Sequence, residues 1–318
     1  MITPPFKSTL LFVGFSVLIM SCGDQDKYIS DVTQVPIITS DIDLFYATLD
    51  RMEWDGYYES IVQTDYFDKG SDGLKALIEK DGLNARDFMM YMKEHAPFFA
   101  SIRPHILDKT KYVALTERVL KEFDALLPDS KYQPVFFLIG QNRHGGTLTD
   151  AGFTIELQKN VLGLPNIEWG AFDSLHFLPH RDLDYMIAHE QVHVTQPFVP
   201  LSQSLLRMTL NEGIADYVAL KLADKKGNHS AYTYGDQHYN QLKEEWLSDL
   251  DAPISDVRSK WIWNWGANME RPNDLAYYIG FKIAESYCLN QTNHAEAIRQ
   301  LVFTQDYEQV FRESGFAE

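Results

Sequence analysis

Along this chain apolar residues recur at helical spacing far more often than they alternate. Ser40 is placed to cap a helix running to about Met52, and Asn84 to cap another through Phe88, Met89 and Met92. Residues 110–127 set Val113, Leu120, Phe123 and Leu127 on one stripe, which Pro128 ends. From residue 182 onward the helical pattern dominates, with segments near 182–196, 202–224, 236–249, 274–289, 294–303 and 306–314, and Gly315 as a C-terminal stop. Two runs read as strands instead: residues 134–140, β-rich and bounded by Pro and Gly, and residues 152–158. Between them residues 142–147 are rich in turn formers; this segment is a hairpin tip or part of a cleft, and the sequence does not decide which. The expected fold class is α+β, mostly α, with a small β-sheet.

Composition narrows the function classes. A length of 318 residues suits one large domain or two modest ones. With 45% apolar and 13% aromatic residues the chain has enough side-chain material for a sizeable core. A formal net charge of −17 repels phosphates, so no nucleic-acid partner is expected. Nothing in the pattern specifies an oligomeric state.

The N-terminus reads as an export signal. Lys7 gives a positive start and Leu10 to Met20 an apolar stretch too short to span a bilayer. Its end, Ile19-Met20-Ser21-Cys22, resembles a bacterial lipobox. That likeness implies lipidation of Cys22 and an anchor on the periplasmic face of the cell envelope; Gly23 favours the outer membrane. Two or three acyl chains hold firmly, because each buried CH₂ contributes about 0.8 kcal/mol. The resulting division is residues 1–22 as signal, 23–40 as polar tether, 41–130 as an N-terminal helical region and 131–318 as the region carrying the chemistry. The other cysteine, Cys288, lies on an apolar helical stretch and reads as a core residue.

The candidate chemistry begins at His189-Glu190-Gln191-Val192-His193. Histidines four apart lie one helical turn apart on one face, so both imidazoles can reach one zinc ion. Glu190 projects beside that point and can take a proton from a zinc-activated water. Met186 and Ile187 fit a buried helix, Asp182 or Asp184 suits its N-terminus, and Pro197 stops it. Eighteen residues separate His193 from Glu212 in Leu210-Asn211-Glu212-Gly213-Ile214-Ala215-Asp216. Glu212 and Asp216 are also one turn apart, flanked by Leu205, Met208 and Ala219. Two carboxylates against apolar surface need cations or donors. Zinc meets that need at Glu212, and an imidazole N–H at Asp216. Gly213 costs helix stability, which points to a close backbone approach, expected from the H-E-x-x-H helix.

His189-Glu190-x-x-His193 followed by Asn211-Glu212-x-x-x-Asp216 resembles the gluzincin pattern of thermolysin-like peptidases. The likeness implies a zincin-like fold, one Zn²⁺ per chain held by His189, His193 and Glu212, Glu190 as base, and Asp216 supporting a histidine. From about residue 134 onward the stretches FFLIG, GGTLTDAGFTIEL, MIAHEQVHVTQ, LNEGIADYVA and YYIGFKIAESY are similar to a family of predicted zinc-dependent proteases of unknown function that includes bacterial lipoproteins. Gluzincins use a later Tyr or His to steady the developing oxyanion; Tyr277, Tyr278, His238 and Arg271 are candidates, and Tyr277 matches the family stretch before Ile-Gly. His144, His176 and His180 read as loop histidines, the alternative being that they line the cleft or bind a second metal.

The expected function is a lipid-anchored zinc metallopeptidase acting on a peptide or protein substrate, with the strand near 152–158 as an edge for an extended chain. The alternatives are a non-catalytic envelope lipoprotein, for secretion or gliding, that keeps a structural zinc, and a hydrolase of non-peptide amides. Structural zinc sites are usually closed by four protein ligands and have no use for Glu190.

Overall fold

A computed structural model describes residues 28–52, 57–225, 229–264 and 270–318. The lipobox reading, with Cys22, lies outside them. The strand β1 (Ile37–Ile38) leads into α1 (Ser40–Asp50), followed by α2 (Glu59–Ile61), which continues as a π-helical turn through Phe67. Then come α3 (Asp72–Asp81), α4 (Ala85–Glu94), α5 (Ala96–Ile106) and α6 (Lys109–Leu126). A β-segment follows, with β2 (Val135–Leu138), β3 (Gly146–Thr149) and β4 (Gly152–Glu156). The remainder is helical: α7 (Leu183–Thr195), α8 (Leu205–Ala223), α9 (His229–Gln237), α10 (Tyr239–Asp249), α11 (Ile254–Trp261), α12 (Leu275–Leu289), α13 (His294–Phe303) and α14 (Tyr307–Ser314). The protein is thus mostly helical with a small mixed sheet.

The helix ends follow from local chemistry. Asn84 caps α4 by accepting from Asp87 N, Ser204 caps α8 from Arg207 N, and Gly315 closes α14 at φ 65°. Ser40 is the first residue of α1 rather than its cap, and Asp182 stands at the N-cap of α7 without a side-chain capping bond. The stripe on α6 is rotated from the expected one: Tyr112, Thr116, Val119, Leu120 and Phe123 are buried, and Val113 is only half-buried. The helix expected over 236–249 starts at Tyr239 as α10, with His238 at its N-cap, and a further helix, α9, precedes it.

The sheet order is β1-β2-β4-β3, with β1, β2 and β4 parallel and β3 antiparallel to β4. Here the expectation for 152–158 is corrected. β4 lies inside the sheet, buried throughout, and among the described residues the outer edge beside it belongs to β3, where Lys80 Nζ donates to Leu148 O at 2.7 Å. Ile29 bridges Tyr132, and β1 pairs Ile37 with Val135, so the stretch read as a tether enters the fold from residue 29 onward. Helices of the N-terminal region seat directly on the sheet. Gly73 of α3 abuts Phe136, where a Cβ would fall 2.2 Å from the ring, and the Tyr66 hydroxyl donates to Ile139 O at 2.6 Å. One continuous apolar core extends from Ile42 to Phe316 and includes Cys288. No helix among the described residues is long and apolar enough to cross a membrane.

Candidate metal centre

Helices α7 and α8 are buried on nearly all sides. That burial explains why neither carries a clean amphipathic stripe. α8 lies between α7 and α12. From α7 come His189, Glu190 and His193; from α8 come Glu212 and Asp216.

His189 Nε2 and His193 Nε2 lie 3.0 Å apart. Glu212 Oε2 is 3.1 Å from His193 Nε2 and 3.4 Å from His189 Nε2. The outer ring nitrogens face acceptors: His189 Nδ1 is 2.9 Å from Asp216 Oδ1, and His193 Nδ1 is 2.9 Å from Gln196 Oε1. Gln196 Oε1 is bonded to His193 Nδ1, and Asp216 Oδ1 is in contact with His189 Nδ1 without being aligned as its hydrogen-bond acceptor; with the ring protons at Nδ1, as a bound metal requires, the Nε2 lone pairs turn toward each other and toward Glu212. Three lone pairs aimed at one point suit a divalent cation. Two ligands about 2.05 Å from a tetrahedral zinc stand about 3.3 Å apart, and two nitrogens with one carboxylate oxygen are a zinc donor set. The residues therefore fit zinc. Burial alone would raise the Glu212 carboxyl, but the positive character of His193 and His189 outweighs it and holds the group well below the usual range. His189 is pushed the other way: burial disfavours its charge, yet Asp216 and Glu212 raise its pKa well above the ordinary value.

Glu190 stands outside that three-atom cluster. It is buried against β3, where a Cβ at Gly146 would fall 2.6 Å from Glu190 Cγ, so only glycine lets the strand come this close. Burial raises the Glu190 pKa, His189 and His193 lower it in part, and Glu212 raises it again, for a net upward shift. A carboxylate made more basic and placed beside a metal cluster is suited to accept a proton.

Tyr277 reaches the site. Its ring stacks on His189 with centroids 6.0 Å apart, and its hydroxyl accepts from Trp263 Nε1 at 3.1 Å. Burial, with Glu212 adding to it, keeps the phenol well above its ordinary pKa, so it remains a donor. The other candidates are held elsewhere: Tyr278 donates to Asp236 at 3.0 Å, Arg271 pairs with Glu245 at 3.0 Å, and the His238 ring lies against Tyr234. His180 binds Asn160 O at 2.8 Å and His144 meets Asp81 at 3.0 Å, both as loop anchors. A cavity of about 200 Å³ opens on the Glu190 side, walled by Gly146, Met186, Tyr185 and Tyr277. A wider groove of about 770 Å³ opens on the His193 and Glu212 side, along Thr147, Phe198 and Met208. Trp263 borders both, in a left-handed conformation at φ 48° that is costly for an aromatic residue.

Several site residues were not foreseen. Gln196 bonds His193 and in turn is held by Asn211, which donates to Gln196 Oε1 at 3.1 Å and to the Tyr307 hydroxyl at 3.0 Å. The Gln196 position, three after His193, is the one local signal for it. Gly146, Tyr232 and Trp263 come from distant segments and left no signal beyond the paired glycines at 145–146, whereas Tyr185 is four residues before His189 on α7, a spacing that puts both on one face of the helix. The neighbour expected for Gly213 is also corrected. A Cβ there would lie 2.1 Å from the Gly280 carbonyl carbon, so the close approach is by α12, not by α7. Comparison with protein families, curated proteins and solved structures returns no match.

Proposed function

We propose that the chain is a zinc-dependent peptidase with a zincin-like arrangement, in which His189, His193 and Glu212 hold one Zn²⁺. The observation that carries this reading is the pairing of a three-ligand cluster with a separate buried carboxylate, Glu190, that is no part of it. A bound zinc would supply Lewis acidity, lowering the pKa of a water and polarising a carbonyl. Glu190 accepts the proton of the attacking water and returns it to the departing amine nitrogen. Tyr277, oriented by Trp263, donates a hydrogen bond to the carbonyl oxygen as charge develops there. The substrate is an extended peptide lying along the outer edge of β3, beside Glu190. The lipobox likeness at Cys22 adds a lipid anchor, and with it a place in the bacterial cell envelope.

The test is digestion of an unbiased peptide library by the purified full chain, zinc-loaded at measured stoichiometry, with and without chelator. Cleavage that a chelator stops and zinc restores is expected. A chain holding one zinc that cleaves nothing in the library would overturn the peptidase reading in favour of a structural metal.

A further inference from the structure

Asp216 does more than face one imidazole. Its carboxylate is buried, 2% exposed, at the meeting point of α7, α8 and α9. Three groups converge on it. His189 Nδ1 lies 2.9 Å from Oδ1. The Tyr185 hydroxyl, one turn before His189 on α7, donates to the same oxygen. The Tyr232 hydroxyl, from α9, donates to Oδ2 at 2.8 Å. Both phenols are buried, and burial with the neighbouring Asp216 charge raises them well above the ordinary tyrosine pKa, so each stays a donor.

This arrangement has a geometric consequence. A carboxylate held at one oxygen can swing about its Cβ–Cγ bond. One held at both oxygens, by donors on two different helices, has its plane fixed. The oxygen presented to His189 is then fixed too, and so is the direction of the His189 Nε2 lone pair. A buried carboxylate also needs these donors to offset lost hydration.

We propose that Tyr185 and Tyr232 are positioning residues for the metal centre, acting through Asp216 to aim His189. The proposal rests on the zinc reading above. It ties the metal affinity to α9, a helix that packs on α12, contributes no ligand and reaches α8 through the Tyr232–Asp216 hydrogen bond.

The test is zinc affinity of the full chain by chelator competition, for Tyr185→Phe and Tyr232→Phe in the parent and in an Asp216→Asn background. Each Phe variant removes one of the two phenol donors but leaves the carboxylate facing His189, so it should lose only part of the about 10- to 100-fold typical when a ligating histidine loses its partner, binding zinc about 3- to 10-fold more weakly. In the Asp216→Asn background, itself about 10- to 100-fold weaker, the Phe substitutions should add less than about twofold. The visible spectrum of the Co²⁺-substituted chain should shift in both Phe variants, a change that loss of packing away from the metal would not cause. Phe variants binding zinc like the parent would overturn the proposal, as would an undiminished effect in the Asp216→Asn background. A parent without zinc affinity would overturn the zinc reading itself, and the two failures are told apart by that first measurement. Should Tyr185→Phe fail to fold, Tyr232→Phe decides by the same comparison.

Discussion

Replacing Gly213 with alanine probes the joint between the ligand-bearing helix and its neighbour. The new Cβ would sit 2.1 Å from the Gly280 carbonyl carbon and 2.4 Å from Phe281 N. Carbon atoms in ordinary contact stand about 3.5–4.0 Å apart, so α8 and α12 must separate by about 1.5 Å. The obstruction is backbone on both sides, with no side chain free to swing away. Overpacking costs about 1–3 kcal/mol, and this contact belongs at the upper end. Helix propensity returns about 1 kcal/mol for Gly to Ala, leaving a net loss of about 2 kcal/mol. In a chain of 318 residues that lowers the melting temperature by about 3 °C. Glu212 is the preceding residue, so zinc affinity should fall as well, its Oε2 being displaced from contacts of 3.1 and 3.4 Å. Denaturant unfolding of the metal-free chain and chelator-competition zinc titration measure the two effects separately. Gly280→Ala, whose Cβ would lie 1.9 Å from Thr209 O, should do at least as much. A Gly213→Ala chain that melts within about 1 °C of the parent and binds zinc equally well would refute the close-approach argument.

Two further outcomes follow. Burial raises the Asp274 carboxyl to about 7. Its stabilising contribution is therefore full below the unfolded value near 3.9 and is lost as pH rises through the folded value, at up to about 1.4 kcal/mol per pH unit. Asp274→Asn keeps an acceptor for Trp263 N, 2.6 Å away, and should flatten the stability profile between those limits; an unchanged slope in urea melts would contradict this. Cys22→Ser should release the protein from the membrane fraction or leave an unprocessed precursor, and a variant that matures and fractionates like the parent would remove the lipid anchor from the account.

What the sequence made legible is what is local. His189 and His193 share a turn, as do Glu212 and Asp216, so each pair declares its common face without tertiary knowledge. The helices from α7 onward are read for the same reason, apart from α9 and α11. The strand β3 escaped notice because Gly146-Thr147-Leu148-Thr149 is short and follows a run of turn formers; only pairing with β4 makes it a strand. α5 was hidden by Pro97 and Pro104, although a proline in the first turn is compatible with a helix. α3 was obscured by Gly73, whose role is to admit Phe136. At the site, the parts that stayed out of reach are those assembled across the fold: Gly146 behind Glu190, Trp263 on Tyr277, and Tyr232 on Asp216.

The central claim is a division of labour between two carboxylates, and metal analysis beside a turnover assay on Glu190→Ala and Glu212→Ala tests it most directly. Glu212→Ala removes a ligand and its charge, so zinc should be lost or weakly held. Glu190→Ala removes only the base, so zinc should stay near one per chain while hydrolysis of a library-derived peptide falls about 10²- to 10⁴-fold. Loss of zinc from Glu190→Ala to the same extent as from Glu212→Ala, or full activity with zinc retained, would contradict the account.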